Sequence, residues 1–223
     1  MVLNIAMDGP VGAGKSSIAK AVADRLGILH LDTGAMYRAV GLSALRAGID
    51  LQDEAAVTAH TRALHLTVAH SPDGQRTLVN GEDLTDLIRT PEVSMAASAV
   101  GRYQGVRREM VAIQQRLAES TPMLVDGRDI CVRVLPHAPV KLFLTASAEE
   151  RARRRHLEMQ QKGDTTPYEE VLRDLRARDE QDMNRAVDPL RPTEDAVIVD
   201  STDMTFEQVV EHILGIVEEK TRA

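Results

Sequence analysis

Tryptophan is absent from this chain, and only two Phe and three Tyr occur in 223 residues. Leu, Val, Ile and Ala must therefore fill the core, which suits an α/β protein better than a β-sandwich. A single cysteine, Cys131, excludes an internal disulfide framework and fits a reducing, cytoplasmic location. No apolar run approaches the length of a membrane span, and the opening "MVLNIAMDGP" has neither a basic leader nor a long apolar stretch. Neither a transmembrane helix nor a signal peptide is expected. A basic excess is missing too. The formal charge is −7 and the pI about 5.5, so the field of the whole molecule would not draw in DNA or an anionic membrane. What remains, 43% hydrophobic and 27% charged residues, is ordinary for a soluble globular protein with one sizeable core or one core and a small lobe.

Short apolar runs at Val2 to Met7, Ile28 to Leu31, Met123 to Val125, Val140 to Leu144 and Val197 to Val199 read as strands of a buried sheet. Helical patterns lie between most of them. Ile18, Val22 and Leu26 repeat every four residues after Ser16, with Gly27 as the stop. Phe206, Val209, Val210, Ile213, Leu214 and Val217 form another stripe, preceded by a capping-box pattern at Thr205 and Gln208. Strands alternating with helices predict a mainly parallel sheet covered on both faces. From Leu64 to Thr90 the rhythm breaks: two strand-like pieces around Pro72-Asp73-Gly74 predict a small antiparallel insertion. "ERARRRHLEMQQKGDTTPYEE" is a second departure, a basic helix followed by a loop.

"GPVGAGKSS" follows the first strand and opens the first helix. Gly9, Gly12, Gly14, Lys15 and Ser16 fit Gly-x-x-x-x-Gly-Lys-Ser in the strand-before, helix-after context that this phosphate loop requires. Glycines let backbone N–H groups curl around phosphate oxygens, and the helix N-terminus adds its dipole. Gly9, Pro10, Val11, Gly12, Ala13, Gly14, Lys15, Ser16 and Ser17 are the candidate ATP-binding residues. Lys15 would reach the β- and γ-phosphates, and the Ser16 hydroxyl would ligate Mg²⁺. No Asn-Lys-x-Asp guanine motif occurs, and a motor would need a longer chain. A small kinase with a bound acceptor remains.

"LDTGAMYRAV" follows the second strand. Thr33 and Tyr37 share a helical face and Arg38 sits beside them, placed to hold a second phosphate. "MLVDGRDICVRVLP" sets Arg128 and Asp129 against the end of a buried strand, where unpaired charge costs stability. From the local sequence, Asp129 could equally be a structural partner of Arg128 or Arg133. Arg178, Asp182 and Arg185 fall at i, i+4 and i+7 on one helical face; an exposed, salt-bridged face is the plain alternative. Arg151, Arg153, Arg154 and Arg155 resemble a nucleic-acid footprint, but the cluster is short, the chain acidic, and no aromatic stacking platform accompanies it.

In this order and spacing, the phosphate loop, "LDTGAMYRA", "VDGRD", "ASAEERARRR" and "RDEQDMNR" resemble the bacterial cytidylate kinase family from about residue 3 to residue 217. The resemblance implies a P-loop kinase fold: a central, mainly parallel five-stranded sheet flanked by helices, a small α+β acceptor-binding insertion at about 33–107 and a helical LID at about 149–167. It implies ATP as donor, CMP or dCMP as acceptor, Mg²⁺ as cofactor and a monomer. A P-loop kinase of UMP or of a shikimate-like metabolite is the alternative. By resemblance the CMP-binding residues are Thr33, Tyr37, Arg38, Ser98, Arg107, Arg128, Asp129, Arg178, Asp182 and Arg185. Lys15, Arg38, Arg128, Arg151, Arg155 and Arg185 neutralise charge during transfer, and Arg154 contacts ATP. Asp129 would accept from the cytosine N4 amino group, which uracil lacks. Asp8 or Asp126 would hold waters of the Mg²⁺ shell. One departure is Ile130-Cys131 after "DGRD", where the family commonly has small residues; Cys131 reads as a buried, inert side chain.

Overall fold

The computed structural model describes residues 2–71, 74–161, 163–185 and 187–222. Its larger sheet uses β1 (Asn4–Asp8), β2 (Leu29–Asp32), β6 (Met123–Gly127), β7 (Val140–Thr145) and β8 (Val197–Asp200) in the order β2-β6-β1-β7-β8. β1 pairs in parallel with β7, and β7 with β8. The expected five-stranded parallel sheet flanked by helices is thus the observed one, with each strand within two residues of its predicted bounds. By compactness the chain divides into two units, one formed by Leu29–Met123 and the other by Leu3–Ile28 with Leu124–Ala223.

In the second unit, the short apolar runs that predict β1, β6 and β7 bury most of their residues. Ile5, Met7, Leu124, Leu142 and Leu144 are wholly inaccessible, and α1 (Lys15–Leu26) and α8 (Phe206–Thr221) close over them. Gly27 ends α1 at φ 65°, and the Thr205–Gln208 capping box starts α8. Phe206 departs from the predicted stripe: at the first helical position it is half exposed, and Ile216 joins the buried face in its place. α6 (Ala148–Gln161) and α7 (Tyr168–Asn184) pack as a helical pair around Ala152, Val171 and Leu175.

In the first unit, α2 (Thr33–Arg46) lies so close to α4 (Pro91–Val100) that a Cβ on Gly41 would stand 2.9 Å from the backbone N of Ala97. α3 (Glu54–Ala63) packs on α5 (Gln104–Ser120). The predicted insertion is present as β3 (Leu66–Ser71) and β4 (Gly74–Val79), antiparallel; Pro72 and Asp73 of the expected turn lie outside the described residues. A third strand, β5 (Glu82–Asp83), was not predicted. Its signal was available: Asn80 and Gly81, at φ 51° and 85°, are the Asn-Gly pair that a tight hairpin turn prefers.

Two glycines of the second unit are constrained differently. A Cβ on Gly9 would lie 2.0 Å from the Leu144 carbonyl oxygen, whereas one on Gly27 would meet nothing within 4 Å. Gly9→Ala is therefore expected to cost about 3 kcal/mol through forced displacement of the β7 backbone. Gly27→Ala should cost only the ~1–2 kcal/mol of left-handed backbone. Thermal unfolding followed by far-UV circular dichroism checks the order; equal shifts would show that the loop backbone yields.

Candidate active site

The phosphate loop is shaped by backbone conformation. Gly12 and Gly14 adopt φ of 75° and 82°, and α1 begins at Lys15 with Gly14 as its N-cap and no side-chain cap. Its first N–H groups are thereby left to an anion. Lys15 is buried, with Nζ donating to the Pro10 carbonyl at 2.8 Å. Burial, reinforced by the charge of Arg128, lowers its pKa from 10.5 to about 7, against the opposing pull of Asp126, Asp8 and Asp182. The Ser16 hydroxyl donates to Asp126 Oδ2 at 2.9 Å.

The strand ends carry the carboxylates. Asp8, at the end of β1 and 1% exposed, accepts from the N–H groups of Ile130 at 2.8 Å and Cys131 at 2.9 Å. Burial pushes its pKa up, and these two N–H groups hold it back. The chain after Asp129 coils into one π-helical turn, Ile130–Val134, closed by Leu135 N–H to the Ile130 carbonyl at 2.8 Å. This is the backbone path that the sequence left open. Cys131 fills the space behind it, its Sγ 3.8 Å from the carbonyls of Ala6 and Leu142, and burial drives the thiol far above its ordinary pKa. The predicted inert role fits. Asp129 is itself buried, Arg128 Nε donates to Asp182 Oδ2 at 2.9 Å, and Arg133 pairs with Asp188.

Arg178 and Asp182 lie half-buried on α7, but Arg185 does not continue their helical face. The helix stops at Asn184, Leu190 N–H bonds back to the Asp182 carbonyl at 2.9 Å, and Arg185 Nε donates to the Asp188 carbonyl. Helix α6 sorts its arginines by direction. Arg154 reaches Ser201, with NH1 to Oγ at 3.0 Å and NH2 to the carbonyl at 2.6 Å. Arg153 and Arg155 are exposed and pair with Glu150 and Glu158 on their own helix. Arg151, expected among the groups that neutralise the transferring phosphate, is instead 5% exposed. It donates to the carbonyls of Ala146 at 2.8 Å and Val11 at 2.9 Å and pairs with Asp179 at 2.7 Å. In this structure its charge is matched by Asp179.

In the first unit, Asp32 caps α2. One carboxylate oxygen accepts from Ala35 N–H at 2.9 Å, the other from Arg38 NH2 at 2.8 Å. The Gln75 amide then clamps the Asp32 backbone, accepting from its N–H at 2.8 Å and donating to its carbonyl at 3.1 Å. Asp32, not among the candidate residues, is an N-cap signature legible in the sequence three residues before Ala35; Gln75 carries no such signal. Thr33 is buried and Tyr37 half-buried on α2, with the Arg107 guanidinium 6.0 Å from the Tyr37 ring centre. Arg107 is buried and donates to the Gly101 carbonyl at 3.1 Å. Ser98 is half-buried on α4.

A buried lysine at the mouth of a glycine loop, leading from a parallel strand into an uncapped helix, defines a P-loop phosphotransferase. Comparison narrows the class. A family model described as Cytidylate kinase matches residues 5–219. A cytidylate kinase of Shouchella clausii is 49% identical over 98% of this chain and 97% of its own length; that of Bacillus subtilis is 44% identical over 99% of this chain. The chain belongs to the cytidylate kinase family. Among solved structures, a shikimate kinase from Bacteroides thetaiotaomicron superposes with a TM-score of 0.50 at 13% identity, covering 97% of this chain and 98% of that one. That likeness concerns the fold alone.

The Lys15 environment predicts a pH dependence. The unfolded chain keeps the lysine proton up to about pH 10.5, whereas the folded chain releases it near pH 7. Between those values the unfolded state binds more protons, so the Lys15 contribution to stability rises with pH. Lys15→Met should be more stable than the parent at pH 6.5, and the gap should shrink toward pH 9.5. Melting temperatures of the nucleotide-free proteins across that range check it; a constant gap would contradict it.

Proposed function

We infer that the chain transfers the γ-phosphate of ATP to CMP or dCMP, giving ADP and CDP or dCDP. The observation that carries this reading is the family match over nearly the whole chain, from residue 5 to residue 219. The attacking group is a phosphate oxygen whose second pKa is about 6, already largely deprotonated at neutral pH. No general base is required, and catalysis reduces to alignment and charge neutralisation.

The donor lies on residues 9–17, with Lys15 on the β- and γ-phosphates and Arg154 beside ATP. A triphosphate supplies the negative charge that buried Lys15 lacks. Mg²⁺ fits the oxygen-only donors at the Ser16 hydroxyl, with Asp126 in hydrogen-bond contact and Asp8 at the end of β1. Among the described residues no group of three or more His, Cys, Asp or Glu is placed to hold a metal, so the ion would arrive bound to phosphates. When bound, it neutralises charge on the β- and γ-oxygens.

For the acceptor, Arg38, Arg128 and Arg185 take the phosphate, Arg178 and Asp182 the pentose, and Thr33 and Tyr37 lie along the nucleotide. Asp129 accepts from cytosine N4, with Arg107 and Ser98 on the O2/N3 side. Uracil would set O4 against the carboxylate, and the unpaired buried acceptors would reject it. Residues 33–107 form the acceptor-binding insertion and 149–167 the LID, where Arg155 moves onto the transferring phosphate and closure excludes water. The protein works as a monomer in the cytoplasm; among the described residues no helix is long and apolar enough to cross a membrane.

Steady-state assays against CMP, dCMP, UMP, AMP and shikimate test the reading. CMP and dCMP should exceed the others in kcat/KM by at least about 10²-fold, because a buried acceptor left unpaired discriminates strongly. Asp129→Ala should lower kcat/KM for CMP by about 10²-fold and leave UMP within a factor of a few. Equal losses for both would remove the base-reading role.

A further inference from the structure

Arg151 is bonded to Ala146, Val11 and Asp179, and two of these partners tie the phosphate loop to α7. NH1 donates to the carbonyl of Val11, inside the phosphate loop, at 2.9 Å, and NH2 pairs with Asp179 of α7 at 2.7 Å. The same stretch of loop packs on the same helices. Val11 contacts the Ala152, Val171 and Leu175 cluster, and a Cβ on Gly12 would lie 3.2 Å from Leu175 Cδ1 and 3.3 Å from Arg151 Cβ. One turn further along α7, on the same face, Asp182 holds Arg128 at 2.9 Å. Two carboxylates one turn apart on one helix thus support the phosphate loop and the arginine after β6.

Stability alone does not account for the pair. Asp179 is 8% exposed, and among the described residues its buried Oδ1 has no hydrogen-bond partner. A buried ion pair with a carboxylate oxygen unsatisfied recovers its desolvation cost poorly, and apolar replacement of both partners is often neutral or stabilising.

We propose that Arg151 and Asp179 are positioning residues that join the phosphate loop to the α7 turn carrying Asp182, so that occupancy of the loop and occupancy of Arg128 are energetically coupled. A triphosphate that fixes the Val11–Gly12 backbone fixes Arg151, hence Asp179 and the register of α7, hence the direction in which Asp182 holds Arg128. By linkage the effect is reciprocal. This rests on the reading that the loop takes ATP and Arg128 the CMP phosphate.

The test is calorimetric titration of a non-hydrolysable ATP analogue with Mg²⁺, with and without saturating CMP. In the parent protein CMP should tighten analogue binding at least about fivefold. In Arg151→Met/Asp179→Leu, which replaces the pair by apolar groups and also releases the Ala146 and Val11 carbonyls, the ratio should fall to within about twofold of unity. CMP affinity measured alone should stay within about threefold, a split that general loosening would not produce. If that double variant fails to fold, Arg151→Lys, which keeps the buried charge opposite Asp179 but gives up the fork that reaches both Asp179 and the Val11 carbonyl, should still lower the ratio. A parent ratio near unity, or an unchanged ratio in the variants, overturns the proposal. Failure of CMP to bind the parent at all would remove the functional reading with it, whereas CMP binding without coupling removes only this inference.

Discussion

An ammonium group buried against a single carbonyl is the constraint around which the second unit is organised. Lys15 donates to Pro10, and among the described residues no carboxylate lies within ion-pair distance of it. Burial and the positive field of Arg128 both work against its charge. Such a group is tolerable only where the surrounding backbone is rigid and a polyanion restores the balance. The rigidity comes from glycine: the Gly9 backbone lies so close to the Leu144 carbonyl that no side chain fits between them. In the proposed scheme the polyanion is the donor triphosphate, which would complete the electrostatics of the site.

The same logic governs the carboxylates at the strand ends. Asp8 is deeper than Lys15 and is satisfied differently, by two backbone N–H groups from the π-helical turn that follows Asp129. A buried carboxylate here fixes the course of another segment's backbone, and with it the position of Asp129, the residue proposed to read the base. Asp32 does comparable work in the first unit, where one carboxylate both caps α2 and holds Arg38. In each unit a strand-terminal Asp that touches no substrate in the proposed scheme positions a residue that does.

This division explains what the sequence made legible. The strand, glycine loop and helix around Lys15 are a local pattern, and their context is local too. Arg128 and Asp129 stand out because charge abuts an apolar run. The π-helical turn is invisible in sequence because it depends on Asp8, more than a hundred positions away, supplying acceptors for N–H groups that an ordinary turn would satisfy itself. Gln75 is hidden for the same reason: its partner is the backbone of Asp32. β5 was missed for a different reason, since two residues are too short to show alternation, although Asn80-Gly81 marked the turn before it.

The arginines of α6 show how burial, rather than charge count, decides what a basic helix can do. Four guanidinium groups within five positions look equivalent in the sequence, but a helix points them in different directions. Arg153 and Arg155 face solvent, and their ion pairs with Glu150 and Glu158 join side chains at i, i+3. The Arg155–Glu158 pair is exposed on both sides and worth about 0–1 kcal/mol, so a phosphate oxygen can take the place of Glu158 at little cost, whereas Glu150 is largely covered and held by both Arg153 and Arg154. Arg151 is committed: breaking its buried pair one-sidedly would leave an uncompensated charge at a cost of about 3–5 kcal/mol, far more than an exchange of partners during turnover should carry. Arg154 lies between these limits, half-buried and bonded to Glu150 and to Ser201, just after β8. A helix that closes on a nucleotide needs both kinds, arginines cheap enough to change partners and one costly enough to keep the helix seated while they do.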